Sequence, residues 1–179
     1  NLSSNSERTY VKYSIAAVAG TILILPLFVL IGLNIYLDAT FEVNCGGHLK
    51  RAADANSVEI AEKELKMVLE YADRYRLTTG NTSVIYNTPD NDVEFWYNNL
   101  KTSHDELLRV NAKTSQLERT NILMKLRETL MDHGKEGDYT TVPGGIEKHP
   151  FNTLFIILIW TFILFAAIGV FFWFIAFGN

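Results

Sequence analysis

Two long runs of apolar residues lie near the two ends of this chain. Residues 13–37 and residues 151–177 contain no Asp, Glu, Lys, Arg or His. A helix needs about 20 mostly apolar residues to cross the hydrocarbon layer of a bilayer, and these runs offer 25 and 27 residues. The second run is apolar around its whole circumference, which suits lipid better than water. The pattern predicts two transmembrane helices, so the function is that of a membrane protein.

Between these runs, apolar residues recur at the three- and four-residue spacing of amphipathic helices. Residues 49–77 contain no Pro or Gly and predict one long helix. Its polar faces carry interspersed Glu, Lys, Asp and Arg, as expected of a helix surface in water. The apolar seam expected to face a core consists of Val58, Ala61, Leu65, Val68, Ala72 and Tyr75.

Residues 78–89 break the helical pattern with Gly, Asn and Pro and predict the tip of a helical hairpin. Residues 83–86 contain β-type side chains and predict a short extended piece within this tip. Asn81 begins a formal N-glycosylation triplet, which has meaning only in a compartment with that machinery. The next helix is predicted over residues 92–112, antiparallel to the first.

Ser115 and Glu118 have the spacing of a capping box, which predicts a new helix start. The helical pattern then continues to His133. This segment is either a third helix or, if the cap is not used, a continuation of the second. The glycine-rich residues 134–145 predict a loop that leads to the second apolar run.

The predicted fold is therefore an all-α membrane protein, with two transmembrane helices flanking an extracytoplasmic helical hairpin or three-helix domain. The expected divisions are a cytoplasmic tail (1–12), the first transmembrane helix (13–37), the extracytoplasmic domain (38–150), the second transmembrane helix (151–177) and a short tail (178–179).

Charge near the first apolar run predicts the orientation. Arg8 and Lys12 precede the run while Asp38 follows it, and basic residues prefer the cytoplasmic side. Lys148, beside the second run, argues weakly for the opposite orientation. Residues 38–150 carry 14 Lys plus Arg against 19 Asp plus Glu. We expect a two-pass protein of a plasma or bacterial inner membrane with this acidic segment outside the cytoplasm.

Two sets of residues are candidates for contacts with other helices or proteins. Ala16 and Gly20 lie four residues apart in the first run, a spacing that lets helix backbones approach closely in lipid. Phe95, Trp96 and Tyr97 form the densest aromatic cluster outside the apolar runs. Three consecutive residues of a helix cannot all face one core, so at least one is expected to be exposed, where it would anchor a partner.

Candidate chemistry is sparse. Cys45 is the single cysteine, which excludes an internal disulfide, and with His48 it offers only two of the ligands that a zinc site needs. Cys45 is expected to be a buried thiol, with an intermolecular bridge as the alternative. No nucleophile–base set, phosphate-binding glycine loop or dinucleotide motif is evident. We expect no catalytic residues, no cofactor and no metal.

These features favour a non-enzymatic structural or accessory subunit of a membrane assembly. It would contact membrane lipid and form a homo-oligomer or join a larger membrane complex, through the first transmembrane helix and the external domain. The acidic charge disfavours nucleic acid. The alternative is a sensor or receptor input module with a ligand-binding external domain. A channel is less favoured because neither apolar run has a polar stripe to line a pore.

Overall fold

The computed structural model describes residues 2–134 and 137–177. These residues are mostly helical and form two compact units. One unit comprises the chain up to Tyr36 together with the chain from Thr153 onward, and the other is Leu37–Asn152.

Six α-helices and one β-hairpin make up the described chain. The α-helices are α1 (Leu2–Phe41), α2 (Gly47–Ala53), α3 (Val58–Tyr75), α4 (Val93–Leu108), α5 (Gln116–Leu130) and α6 (Asn152–Phe177), and the antiparallel strands are β1 (Met131–Gly134) and β2 (Gly137–Thr140). A π-helical turn, Glu42–Gly46, lies between α1 and α2, and 3₁₀ turns cover Pro89–Asn91 and Ile146–Lys148.

The first unit consists of α6 and most of α1, and both helices are long and apolar enough to cross a membrane. In the most apolar stretch of each helix, only 11% is buried within the described protein. The two helices approach closely where Gly20 faces Gly169. A Cβ atom added to Gly169 would lie 2.8 Å from the carbonyl oxygen of Gly20. The absence of side chains at these two glycines is therefore what permits the close approach.

The second unit is a helical bundle with an apolar core. Two contacts show that α3 and α4 are antiparallel: the Tyr97 hydroxyl donates to Asp73 at 2.7 Å, and His104 Nε2 lies 3.5 Å from Glu62 Oε1. The predicted seam is confirmed at Val58, Ala61, Leu65, Val68 and Ala72, which are all buried, whereas Tyr75 is 49% exposed.

The prediction of one helix over residues 49–77 was wrong. The chain leaves the helical path between α2 and α3, and Ser57 begins α3 by accepting a hydrogen bond from the Ile60 amide at 3.3 Å. Ser57 is in the extended region, with φ −141° and ψ 151°. Ser, Asp and Asn side chains compete with helical hydrogen bonds, so Asp54, Asn56 and Ser57 favour the end of one helix and the start of another. The second predicted helix is shorter than expected, since α4 ends at Leu108.

One of the two hydrogen bonds of the predicted capping box is confirmed: Ser115 Oγ accepts a hydrogen bond from the Glu118 amide at 3.2 Å. Helix α5 accordingly starts as a separate helix. The end of this helix and the following loop were predicted wrongly. Residues 131–134 and 137–140 pair as β1 and β2, with Met131 opposite Thr140, and two residues between them lie outside the described part. The last pair of this ladder is Gly134 with Gly137.

The extended piece predicted at residues 83–86 was also wrong. Residues 84–86 form bends, and Ile85 and Tyr86 are 87% and 70% exposed. The only bridge that the described chain makes here is between Asn81 and Asp92. A single extended segment with no neighbouring strand has nothing to pair with.

Candidate functional site

The aromatic cluster at the start of α4 divides between the core and the surface. Trp96 is 6% exposed and belongs to the core, whereas Phe95 is 62% exposed. Tyr97 is half-buried, and its hydrogen bond to Asp73 raises the pKa of its hydroxyl to about 12, with burial adding to the effect. Phe95 is therefore the residue of the three that is most available for contact with another molecule.

The chain before α4 fixes the position of Phe95. Asp92 starts the helix by accepting a hydrogen bond from the Phe95 amide at 3.0 Å. The preceding turn is tied to the loop, since the Thr82 amide donates to the Asn91 carbonyl at 3.0 Å. Thr82 is itself buried, at 4% exposure. The start of α4 is thus held by hydrogen bonds on its loop side.

A cavity of about 370 Å³ lies beside Phe95 and is the candidate functional site. Its walls come from the Pro89–Asn91 turn, α4, the end of α5, the β-hairpin and the chain after it. Phe95, Trp96 and Tyr139 supply aromatic surface, and Leu100 and Val142 supply aliphatic surface. Cavities that hold ligands are typically of about this size or larger, and largely apolar with a few polar groups.

Three carboxylates give the cavity an acidic character. Asp90, Asp92 and Asp132 line it, and none of the described lining residues is Lys, Arg or His. The Tyr139 hydroxyl donates to Asp132 at 3.3 Å. The negative charge of Asp132 raises the pKa of the Tyr139 hydroxyl, and partial burial, this hydrogen bond and the more distant Asp90 add to the shift. The described lining of the cavity is therefore acidic.

One buried donor in the cavity wall is unsatisfied. The indole Nε1–H of Trp96 has no hydrogen-bond acceptor within the described part of the chain. A buried polar group without a partner costs about 1–3 kcal/mol. Such a cost is usually retained only where water, an ion or a ligand satisfies the group.

The part of the cavity wall that the β-hairpin supplies was not predicted from sequence. Asp132 and Tyr139 belong to the hairpin that composition assigned to a helix end and a loop. Their strands are four residues long and rich in Gly and Asp, so they lack the alternating apolar pattern of a recognisable strand. The one available signal was the pair Gly134 and Gly137, which stand opposite each other at the ends of the two strands.

The other predicted contact pair lies in the first unit. Gly20 is buried against α6 of the same chain, where an added Cβ would overlap Cδ1 of Trp173, and Ala16 is half-buried. Within one copy of the chain, the close approach predicted for Gly20 is thus made between its own two apolar helices.

A second polar cluster joins the beginning of the helical bundle to α3. Glu64 is 3% exposed, and its carboxylate lies 2.6 Å from His48 Nδ1 and 2.5 Å from Arg51 Nη2. Each carboxylate oxygen therefore has its own partner. A buried carboxylate that is paired in this way serves to hold two helices together.

Cys45 lies in the π-helical turn and is fully buried, which confirms the expected buried thiol. Burial raises the pKa of this thiol to about 12, and the negative charge of Glu42 contributes. Since the thiolate is the reactive form, Cys45 is poorly suited to nucleophilic chemistry. Over residues 2–134 and 137–177, no group of three or more His, Cys, Asp or Glu side chains is placed to hold a metal ion.

Asp38 and Glu147 connect the two ends of the second unit. Burial raises the pKa of Asp38, and a hydrogen bond with Glu147 and the charge of Glu147 add to the shift. Burial acts to raise the pKa of Glu147 too, but hydrogen bonds with Lys148, its own backbone and Asp38 lower it overall. Lys148 contacts both carboxyl groups. The cluster joins residues distant in sequence through a charge-assisted hydrogen-bond network.

Comparison with known proteins gives no relative to guide assignment, since no protein-family model, no curated protein and no solved structure matches this chain.

Proposed function

We propose that the chain is a two-pass integral membrane protein that acts by binding another protein. The support for membrane insertion is the exposure of α1 and α6, whose most apolar stretches are only 11% buried. Exposed apolar surface in water costs about 25 cal/mol per Å². The hydrocarbon of a bilayer removes this cost, and the helical backbone satisfies its own hydrogen bonds there.

In this proposal, the unit Leu37–Asn152 lies outside the cytoplasm of a plasma or bacterial inner membrane. Arg8 and Lys12 precede the first apolar run and Asp38 follows it, which favours a cytoplasmic start under the positive-inside rule. A second crossing by α6 returns the chain to the cytoplasmic side. The helical bundle then presents its surface to the extracytoplasmic space.

The observation that carries partner binding is the aromatic surface around the cavity. Phe95 and Tyr139 both line it and are 62% and 54% exposed, and exposed aromatic residues beside a pocket are typical of binding hot spots. We therefore assign the chain to the structural or accessory subunits of membrane complexes, with copies of itself or a different membrane protein as partner. Catalysis is not part of the proposal, and the buried carboxylate of Glu64 is in contact with His48 and Arg51.

The role of α1 in assembly is narrower than its small residues suggested. Gly20 is occupied by α6 within one copy, so a neighbouring protein would have to contact another face of α1. Ile15, Val18 and Ile22 are exposed on such a face. We therefore place the principal partner contact on the helical bundle.

Site-specific photo-cross-linking in native membranes tests this function. A benzoylphenylalanine at position 95 is expected to cross-link one discrete partner, which is either a second copy or another protein. The same group at Leu117, which is 72% exposed and does not line the cavity, serves as the control. Light scattering of the detergent-solubilised protein gives the stoichiometry. A monomeric mass together with no product specific to position 95 would refute the proposal.

A sensor module is the second candidate, and the same cavity supports it. Its volume of about 370 Å³ falls within the range of small-molecule sites. In this reading, a small ligand would shift the surrounding helices relative to one another. A small molecule that stabilises the protein through the cavity, without any partner cross-link at position 95, would favour the sensor.

A further inference from the structure

We propose that the loop between α3 and α4 inserts its apex, residues 83–87, into the interface of the bilayer that α1 and α6 cross. This inference rests on the membrane insertion in the proposed function and adds a third contact with lipid. It is drawn from the position of the loop within the unit Leu37–Asn152, the exposure of its apex and its composition.

The direction of α3 brings its last turn to the level of Leu37, where the first apolar run ends. His48 Nδ1 lies 2.6 Å from Glu64, and the ring centroids of Phe41 and Tyr71 are 5.9 Å apart. Both segments advance by seven residues between these two contacts, but in opposite directions, so they run antiparallel with about the same rise per residue. The end of α3, four residues after Tyr71, is therefore about level with the end of the apolar run.

The loop after α3 also lies beside the other limit of this unit. The carbonyl oxygen of Thr79 is 3.0 Å from His149 Nε2, and a Cβ atom added to Gly80 would lie 3.0 Å from His149 Cε1. His149 precedes the start of α6 at Asn152 by three residues. The loop thus lies at the end of the unit from which the chain continues into both apolar runs. In a two-pass protein, chain connectivity keeps this end next to the bilayer.

Hydrogen bonds hold the base of the loop from both sides. The Thr82 amide donates to the Asn91 carbonyl at 3.0 Å. The Val93 amide donates to the Gly80 carbonyl, also at 3.0 Å. These bonds join the two ends of the loop to each other, so the residues between them project from a fixed base.

The apex has the composition of a segment that contacts lipid. Ile85 and Tyr86 are 87% and 70% exposed, and residues 77–89 contain no Asp, Glu, Lys, Arg or His. Tyr is enriched at the membrane–water interface, where its ring is covered by lipid while its hydroxyl stays wet. Burial of the Ile85 side chain in lipid removes apolar surface from water. The charges that flank the run, Arg76 and Asp90, are of opposite sign, which favours apolar insertion over attraction to anionic lipid.

The test measures the depth of the loop with the full chain in phosphatidylcholine nanodiscs. The fluorophore NBD is attached through Asn87→Cys at the exposed apex, with Cys45→Ala to leave no other thiol. Nitroxide quenchers are carried by the lipid, either on its headgroup or high on its acyl chain. The comparison site is Leu117→Cys, which is 72% exposed as the parent leucine and lies near the start of α5, where Arg119 approaches Glu59 at the opposite end of α3.

We expect the acyl-chain nitroxide to quench the label at position 87 about fivefold more strongly than the label at position 117, as insertion at the headgroup and acyl boundary requires. Quenching at position 87 that is no stronger than at position 117 would overturn the proposal. Quenching at position 87 by the headgroup nitroxide alone would do the same, because the loop would then lie above the acyl chains.

A paired substitution tests whether the apolar side chains draw the loop into lipid. Ile85→Asp with Tyr86→Ser, in the protein labelled at position 87, should lower the quenching to the value at position 117. Both side chains are exposed, so the core of the unit is preserved. Leu117→Asp is the matched control, since it adds one carboxylate at another exposed apolar position, and it should leave the quenching at position 87 unchanged. Unchanged quenching in the paired variant would contradict insertion by Ile85 and Tyr86.

A label in α1 separates this inference from the proposed function. Ile22 is 63% exposed, and NBD attached through Ile22→Cys should be quenched by the acyl-chain nitroxide if α1 crosses the bilayer. Strong quenching at position 22 with none at position 87 would show that the loop proposal is wrong while membrane insertion stands. No quenching at either position would overturn both. Quenching at positions 22 and 87, but not at 117, supports both.

Discussion

The crossing of the two apolar helices at Gly20 and Gly169 gives the sharpest quantitative prediction. An alanine at position 169 would place its Cβ 2.8 Å from the Gly20 carbonyl oxygen and 3.0 Å from Ile24 Cγ1. The helices would have to separate by about 0.6 Å to restore the 3.4 Å at which ordinary contact begins. Overpacking of this kind costs about 1–3 kcal/mol, so we expect Gly169→Ala to lower the free energy of unfolding by that amount.

Gly20→Ala should be at least as damaging, because its Cβ would lie 2.8 Å from the Gly169 carbonyl oxygen and would also overlap Cδ1 of Trp173. Gly32→Ala is the matched control. Gly32 lies in the same helix as Gly20, and a Cβ there meets nothing within 4 Å. All three exchanges add the same methyl group and the same helix propensity, so the difference between them reports the crossing.

The assay is equilibrium unfolding in mixed micelles of a mild detergent and dodecyl sulphate, followed by tryptophan emission. Trp160→Phe in every variant leaves Trp173 as the reporter in the two apolar helices and Trp96 as the reporter in the bundle. The control should be at least as stable as the parent, because Ala favours the helix more than Gly does and its methyl group meets no neighbour. If Gly20→Ala and Gly169→Ala match Gly32→Ala within about 0.5 kcal/mol, the deduced helix crossing is incorrect.

Three further predictions concern the bundle. Cys45, with a thiol pKa raised to about 12, should resist iodoacetamide at pH 8 in the folded protein and react fully in denaturant, as mass spectrometry would show; rapid labelling of folded protein would contradict its burial. Tyr97→Phe should cost about 1 kcal/mol at pH 7. The pKa of the Tyr97 hydroxyl is raised in the folded protein, so the stabilisation from its hydrogen bond to Asp73 should be complete below pH 10 and should disappear as the pH rises through about 12. The measurement is chemical denaturation of the parent and of Tyr97→Phe across this pH range. A difference in stability between them that does not change with pH would refute this prediction. Glu64→Ala should destabilise the bundle by about 1–3 kcal/mol in the same assay. Arg51→Ala should cost less, because the Arg51 side chain is largely exposed. A larger loss in Arg51→Ala than in Glu64→Ala would contradict the pairing of Glu64 with both His48 and Arg51.

The helices of the bundle were predictable where burial follows a regular period. Val58 to Ala72 formed a clear seam because a helix in contact with a core places apolar residues every three or four positions. Ser115 was predictable as a helix start because its hydroxyl can satisfy a free backbone amide. Both signals are local, so the sequence contains them in full.

The break between α2 and α3 was missed because a helical period continues on both sides of it. Asp54, Asn56 and Ser57 are enough to end one helix and start another, but these three polar residues also fit on the solvent-exposed face of a single helix. The hairpin was missed for a related reason. Its glycines favour a loop when the sequence is considered alone. These residues become strands because they pair with each other, as Met131 does with Thr140.

The candidate site was predictable only in part. The cluster at residues 95–97 indicated that one aromatic side chain would be exposed, and Phe95 is that residue. The cavity itself depends on Asp132 and Tyr139, which reach Phe95 through tertiary folding. Likewise, Gly20 was recognisable as a close-contact residue, but the sequence did not specify that its neighbour is Gly169 of the same chain.

The central claim, that α1 and α6 cross a bilayer and hold Leu37–Asn152 on its outer side, is tested most directly by proteolysis of sealed inside-out vesicles. Trypsin added outside such vesicles should reach Arg8 and Lys12 and remove only the first tail, leaving the bundle intact until detergent is added. Cleavage within Leu37–Asn152 in intact vesicles, or release of the uncut chain by an alkaline carbonate wash, would contradict the account.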